Sequence, residues 1–273
     1  MALITGSVEG ADKVAHTFIF IGGLHRSGTT PLFKILREHS QISGFRDTGV
    51  PMDEGQHLQS VYPSDNMYGG PGQFGFNRAA HLTEGSPLAT EQNREKLLAD
   101  WTRYWDTSKP FLLEKSPPNL IRTRFLQTLF PHSKFIIIQR HPVAVTLATM
   151  KWSRSSFWLL LKHWVTCHQF WHEDRQFIKD YLELTYEDLI NDPSSQMGRI
   201  YSFLGIDPPE KPTHGINPFL NQQYFHVWQS LKRERLIRPY IKLMERVFED
   251  RIRRFGYSFH PSKGSDIVSP AQP

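Results

Sequence analysis

Short apolar runs alternate with stretches of helical period along most of this chain. Phe18-Ile19-Phe20-Ile21, Phe111-Leu112-Leu113, Phe135-Ile136-Ile137-Ile138 and Tyr181-Leu182-Glu183-Leu184 are too short for helices and rich in aromatic or β-branched residues, so they predict strands. Between them, Leu32, Phe33, Ile35 and Leu36 predict a helix to about His39, opened by Pro31. Leu97, Leu98, Trp101, Tyr104 and Trp105 mark a second over 91–106. Leu120, Ile121, Phe125 and Leu129 mark a third, capped by Ser116, opened by Pro117 and stopped by Pro131. Further helices are expected to about Met150, over 156–180, over 193–204 before Gly205, and as a basic helix or pair over 231–254. Strand–helix alternation predicts a parallel sheet with helices on both faces.

Three segments break the pattern. Residues 1–16 are polar and aperiodic and read as an extended lead-in. Residues 260–273 read as a mobile tail, leaving one domain over 17–259. Residues 51–88 hold a cluster of glycines with Tyr62, Tyr68, Phe74 and Phe76 interspersed. A structureless stretch of that length inside a domain reads as a substrate lid.

The first strand ends in Gly22-Gly23-Leu24-His25-Arg26-Ser27-Gly28-Thr29-Thr30. Glycines let the backbone turn sharply, and the N–H groups opening the next helix point at an anion. Gly23 and Gly28 have the spacing of a triphosphatase loop, but Thr29 stands where its lysine belongs and the cation, Arg26, comes two residues early. The strand at 135–138 ends in Gln139-Arg140, with no acid to hold Mg²⁺. The loop therefore reads as an anion cradle that works without metal, and the fold class as an α/β, P-loop-type single domain. Ligands then sit beyond the C-terminal ends of the strands, where segments 22–30, 114–117, 140–142 and 185–189 all fall.

Glu114 and Lys115 leave their strand at that edge, where a carboxylate accepts a proton and an ammonium neutralises developing charge; a surface ion pair is the plain alternative. Arg140, at a strand end beside a helix start, suits a phosphate. His168 and His172 are four apart, yet His168-Gln169-Phe170-Trp171-His172 lacks the glutamate of a zinc-protease helix, so no metal is expected.

Composition changes little. The chain has 273 residues, 39% hydrophobic and 22% charged, as expected of a globular protein. A net charge of +5 favours anionic ligands, but no run is dense enough in Lys and Arg to imply nucleic acid. Lys232, Arg233, Arg235 and Arg238 suit an anionic glycan or a solvated helix face. The lone Cys167 excludes an intrachain disulfide and fits a reducing compartment, so a cytoplasmic protein is expected. No run approaches the ~20 apolar residues that span a bilayer, so no membrane partner is expected.

These residues together resemble the sulfotransferase superfamily from about Phe18 to Gly205, closest to the bacterial-type and glycosaminoglycan branch. The resemblance implies 3′-phosphoadenosine-5′-phosphosulfate as co-substrate and a small-molecule or glycan acceptor. It implies that Gly23, His25, Arg26, Ser27, Gly28, Thr29 and Thr30 hold the 5′-phosphosulfate, that Arg140 starts the 3′-phosphate motif, and that Tyr186 lies by the adenine. Glu114 is then the base, with Arg26 and Lys115 stabilising charge. Two positions depart. The family serine eight residues after the arginine is Ala148, so Thr146 or Thr149 must substitute; the cytosolic branch's adenine-stacking tryptophan is Pro31. A P-loop kinase and a non-catalytic nucleotide-binding interaction protein are the rival readings.

Overall fold

The structure, a computed structural model, describes residues 16–210 and 220–260. The expected lead-in, apart from His16, and the expected tail beyond His260 lie outside them. Five strands form one sheet among the described residues: β1 (Thr17–Gly22), β2 (Ile42–Gly44), β3 (Phe111–Lys115), β4 (Ser133–Gln139) and β5 (Tyr181–Thr185). The order is β2-β3-β1-β4-β5, every pairing parallel. The chain leaves β1 toward one edge, returns through β3, then crosses to β4 and β5. The crossing direction thus reverses at β1 and β4, and the crevice beyond their ends is where such sheets bind ligands.

Alternation along β1 divides the core. Phe18 and Phe20 share one face, where Trp101, Trp105 and Phe130 pack at ring separations of 4.5–6.1 Å. Trp101 closes the helix α2 (Glu91–Trp101), which is shorter than the 91–106 expected; Trp105 follows it and donates its indole N–H to the Leu113 carbonyl at 3.0 Å. Ile19 and Ile21 face the other way. The helix α1 (Thr29–Leu36) starts two residues before Pro31 because Gly28, in a left-handed conformation, already turns the chain. After β3, Pro117–Ile121 is a 3-10 turn, and α3 (Thr123–Leu129) begins only at Thr123. Ser116 caps neither; its hydroxyl donates to Glu114 instead. The remaining helices are α4 (Pro142–Met150), α5 (Phe157–Asp174), α6 (Tyr186–Asn191), α7 (Pro193–Leu204), α8 (Leu220–Arg233) and α9 (Arg238–Arg253). Gly205 ends α7 at φ 75°, as its position predicts.

Residues 51–88 are not structureless. They fold into short 3-10 turns with Glu54, Gln56, Tyr62, Asp65, Phe74 and Ala80 buried. Buried side chains of the body satisfy their backbone: Ser116 accepts the Gln56 N–H at 2.9 Å, His163 accepts that of Gly75 at 3.1 Å, and Arg122 donates to the Pro63 carbonyl at 3.1 Å. The partners lie 59–88 residues away, beyond the reach of local pattern.

Candidate active site

The β1–α1 loop is built around two close approaches. A Cβ on Gly23 would meet the Ile138 carbonyl at 2.4 Å, and one on Gly28, at φ 101°, would meet the Tyr186 ring at 2.4 Å. Gly28 is also the N-cap of α1 and offers no side chain to the helix's first N–H groups. Gly28→Ala is therefore expected to cost about 1–3 kcal/mol, read as a lowered urea midpoint, since both φ and the Tyr186 contact are violated.

The Ser27 hydroxyl on this loop and the Arg140 Nη2 at the end of β4 are buried donors without a protein partner, and the His25 Nδ1 is a further buried loop atom without one. Native structures rarely leave such groups unpaired, and a bound anion would satisfy both donors. The rest of the Arg140 fork is held. Its Nε donates to Asn221 Oδ1 at 2.8 Å, its Nη1 to the Arg26 carbonyl at 2.7 Å, and the guanidinium lies 4.2 Å from the Tyr186 ring centre. Asn221 in turn donates to Glu187 Oε1 at 2.8 Å, which also accepts the His141 N–H at 3.1 Å. Burial raises the Glu187 carboxyl. The Arg26 side chain is exposed, with its guanidinium 4.6 Å from the Trp152 ring centre.

The structure thus gathers Gly23, Arg26, Ser27, Gly28, Thr29, Arg140 and Tyr186 at one crevice, with Thr30 half-buried one residue into α1. His25 and Thr149 lie together at a small neighbouring cavity. The His25 Nε2 lies 3.0 Å from the buried Asp65 carboxylate. Its ring lines a cavity of about 10 Å³, room for one water, with Thr146, Thr149 and His163. Burial lowers His163 to about 3, so its ring is neutral. The Thr146 hydroxyl is buried there without a partner.

Glu114 and Lys115 leave β3 on opposite faces. Adjacent strand residues face opposite ways, and the register places Glu114 beside Phe20 and Lys115 beside Ile21. Glu114 is fully buried and accepts from the Gly55 N–H at 3.0 Å, the Ser116 hydroxyl at 2.6 Å and the Asn119 amide. Burial raises it to about 7 against those hydrogen bonds. Lys115 donates to Glu54 Oε1 and to the Met52 carbonyl, both at 3.0 Å. The strap 52–56 thus straddles the end of β3 and grips it from both faces. It passes so close that a Cβ on Gly55 would meet the Glu114 carboxylate at 2.5 Å. Lys115→Ala would remove the cation from the buried Glu54 carboxylate, which keeps the Gln56 amide at 2.8 Å and His57 at 3.8 Å, so a loss of about 3 kcal/mol in a urea titration is expected.

His168 and His172 do not converge. His168 Nδ1 lies 2.7 Å from the Trp164 carbonyl and its ring stacks on Trp164 at 3.8 Å, whereas His172 is exposed. Burial lowers His168 to about 4 and pushes the Cys167 thiol up. No group of three His, Cys, Asp or Glu that could hold a metal occurs among the described residues. Sequence reading missed Glu54, Asp65, His163 and Asn221. Asp53-Glu54-Gly55-Gln56-His57 did carry a signal, a dense polar run inside the supposed lid, but nothing local ties it to β3.

A parallel sheet whose first strand turns into an uncapped helix, with orphaned donors at the switch point, defines an α/β protein of the P-loop type. The chain belongs to the sulfotransferase family, whose profile matches residues 19–210. It is 24% identical over 206 residues to protein-tyrosine sulfotransferase A of Caenorhabditis elegans, covering 72% of this chain and 52% of that protein. It is 28% identical over 144 residues to an omega-hydroxy-beta-dihydromenaquinone-9 sulfotransferase of Mycobacterium tuberculosis, covering 44% and 37%. The matched region thus spans about half, or less, of these curated relatives. The sulfotransferase domain of the Synechococcus PCC 7002 olefin synthase shares the fold, with a TM-score of 0.53 at 20% identity over 81% of this chain and 91% of that domain.

Proposed function

We propose that this chain moves a sulfuryl group from 3′-phosphoadenosine-5′-phosphosulfate to a hydroxyl or amine of a small-molecule or glycan acceptor. The observation that carries this reading is the pair of orphaned buried donors, Ser27 and Arg140 Nη2, flanking the Gly28–Tyr186 contact in a chain of this family. One donor lies on the β1–α1 loop and the other at the end of β4, which fits a nucleotide carrying anions at two places.

Ser27, Thr29, Thr30 and the loop N–H groups hold the 5′ side; Gly23 and Gly28 let the backbone approach it. Arg140 holds the 3′-phosphate, with Tyr186 against its guanidinium. Arg26, exposed at the loop, neutralises charge on the transferring group. The donor supplies the sulfuryl group and its leaving phosphate. Glu114 takes the acceptor proton; at about 7 it is half-ionised at neutral pH, which suits a general base. The Gly55–Gln56 backbone that covers Glu114 must lift for an acceptor to reach it, giving the strap the role of lid. Lys115 holds Glu54, itself part of that strap, at 3.0 Å and acts through it. His25 and Thr149 form the wall of the adjoining cavity.

Both curated relatives are named for hydroxyl-bearing acceptors, so hydroxyls come first. The test is transfer of radiolabelled sulfate to phenols, alcohols, sugars, amines and tyrosyl peptides, with calorimetry of adenosine 3′,5′-bisphosphate alongside. Heat of binding with transfer to one acceptor class supports the proposal. Absence of binding overturns it, and transfer from ATP that needs Mg²⁺ replaces it with a kinase. Among the described residues no helix is long and apolar enough to cross a membrane. The single buried thiol fits a cytoplasmic setting.

A further inference from the structure

The α8–α9 hairpin carries features that the donor site does not use. Residues 233–240, its connection and the first turn of α9, are exposed at every position. Leu236 is 93% exposed, Leu243 51%, and Ile237 and Tyr240 37% each. The connection is nonetheless ordered. Ile237 and Arg238 donate their N–H groups to the Glu234 carbonyl at 3.2 and 2.8 Å, and Trp228, Ile241, Met244 and Phe248 are buried beneath. The apolar side chains are therefore displayed on a fixed support.

Charge surrounds them. Residues 232–242 hold five cations and one acid. Lys232 pairs with Glu245 at 2.7 Å, while Arg233, Arg235, Arg238 and Lys242 make no ion pair among the described residues. Lys232, Arg233, Arg238, Lys242, Glu245 and His260 line a groove of about 540 Å³. An acidic glycan would use the cations and leave Leu236 and Leu243 in water. A second copy would set like charges against one another. An anionic lipid surface uses both features: side chains enter the acyl boundary while guanidinium and ammonium groups meet headgroup phosphates.

We propose that the α8–α9 tip docks this protein onto an anionic bilayer surface. Such docking needs no membrane-spanning segment. The other end of α8 carries Asn221 and Tyr224 against Arg140, and at ~1.5 Å per residue the tip lies about 20 Å from the donor site. Docking would thus hold the crevice close to the membrane.

The experiment is co-sedimentation of the full chain with phosphatidylserine–phosphatidylcholine vesicles and with pure phosphatidylcholine, at low and high salt. Partition onto the mixed vesicles only, weakened by salt, is expected. Arg235→Ala with Lys242→Ala should weaken it about 25-fold, and Leu236→Glu by at least about 10-fold. Both variants should keep the parent's melting temperature and its binding of adenosine 3′,5′-bisphosphate, so this result stands or falls apart from the sulfotransferase reading. No partition, or equal partition onto neutral vesicles, overturns the proposal. So does retention on heparin or self-association that the same variants abolish while vesicle binding is absent.

Discussion

Glu114→Gln is expected to lower turnover by about 100- to 10,000-fold while leaving affinity for adenosine 3′,5′-bisphosphate within a few-fold of the parent. Glutamine keeps the volume and an acceptor for the Gly55 and Ser116 donors but cannot take a proton. In the parent, kcat/KM should rise with pH through about 7, since only the ionised carboxylate works as a base. Stability should move the other way. The folded value, about 7, lies above the ordinary 4.5, so between those values the native state keeps a proton that the unfolded chain has released. The stabilisation from this group is fully present below about 4.5 and is lost as pH rises through about 7. Urea midpoints at pH 5 and pH 8 should therefore differ more for the parent than for Glu114→Gln. Glu54→Gln is the necessary companion, because Glu54 is the other buried carboxylate at the end of β3 and holds Lys115 at 3.0 Å. Turnover lost in Glu54→Gln and kept in Glu114→Gln would move the base to Glu54.

Arg140→Lys should weaken adenosine 3′,5′-bisphosphate binding roughly 10- to 100-fold by calorimetry, and Arg140→Ala further. Each charge-assisted hydrogen bond to a phosphate is worth about 1.5–3 kcal/mol. Lysine keeps the charge but loses the planar fork whose Nε and Nη1 are fixed by Asn221 and the Arg26 carbonyl. That fork leaves Nη2 free for a ligand. Unchanged affinity in both variants would remove Arg140 from the site. Asn221→Ala offers a finer reading: it frees Nε and also deprives Glu187 of a donor, so a smaller loss, several-fold, is expected.

Four strands of the sheet, most of the helices around them and the β1–α1 loop were legible because their signals are local; α6 was not expected, α8 (Leu220–Arg233) lies almost wholly before the expected 231–254, and α5 ends at Asp174 rather than 180. Strand runs, the Gly28 turn and the Gly205 stop each depend on a few neighbouring residues. The helix starts were less exact: Pro31 and Pro117 looked like first helical residues, yet Gly28 turned the chain earlier and Ser116 spent its hydroxyl on Glu114. β2 was missed because Ile42-Ser43-Gly44 is three residues long and forms through pairing with β3.

The sequence by itself determined the alternating α/β architecture and the glycine-lined cradle between β1 and α1, since period, glycine placement and chain direction at a strand end are properties of short windows. Only the tertiary structure decided how the cradle is completed. Asn221 orients Arg140 across 81 residues, and Glu54 answers Lys115 across 61. Burial, which comes from the whole fold, holds Glu114 near 7. Long-range pairing and desolvation leave no mark in local pattern, because both are set by which distant segments pack together.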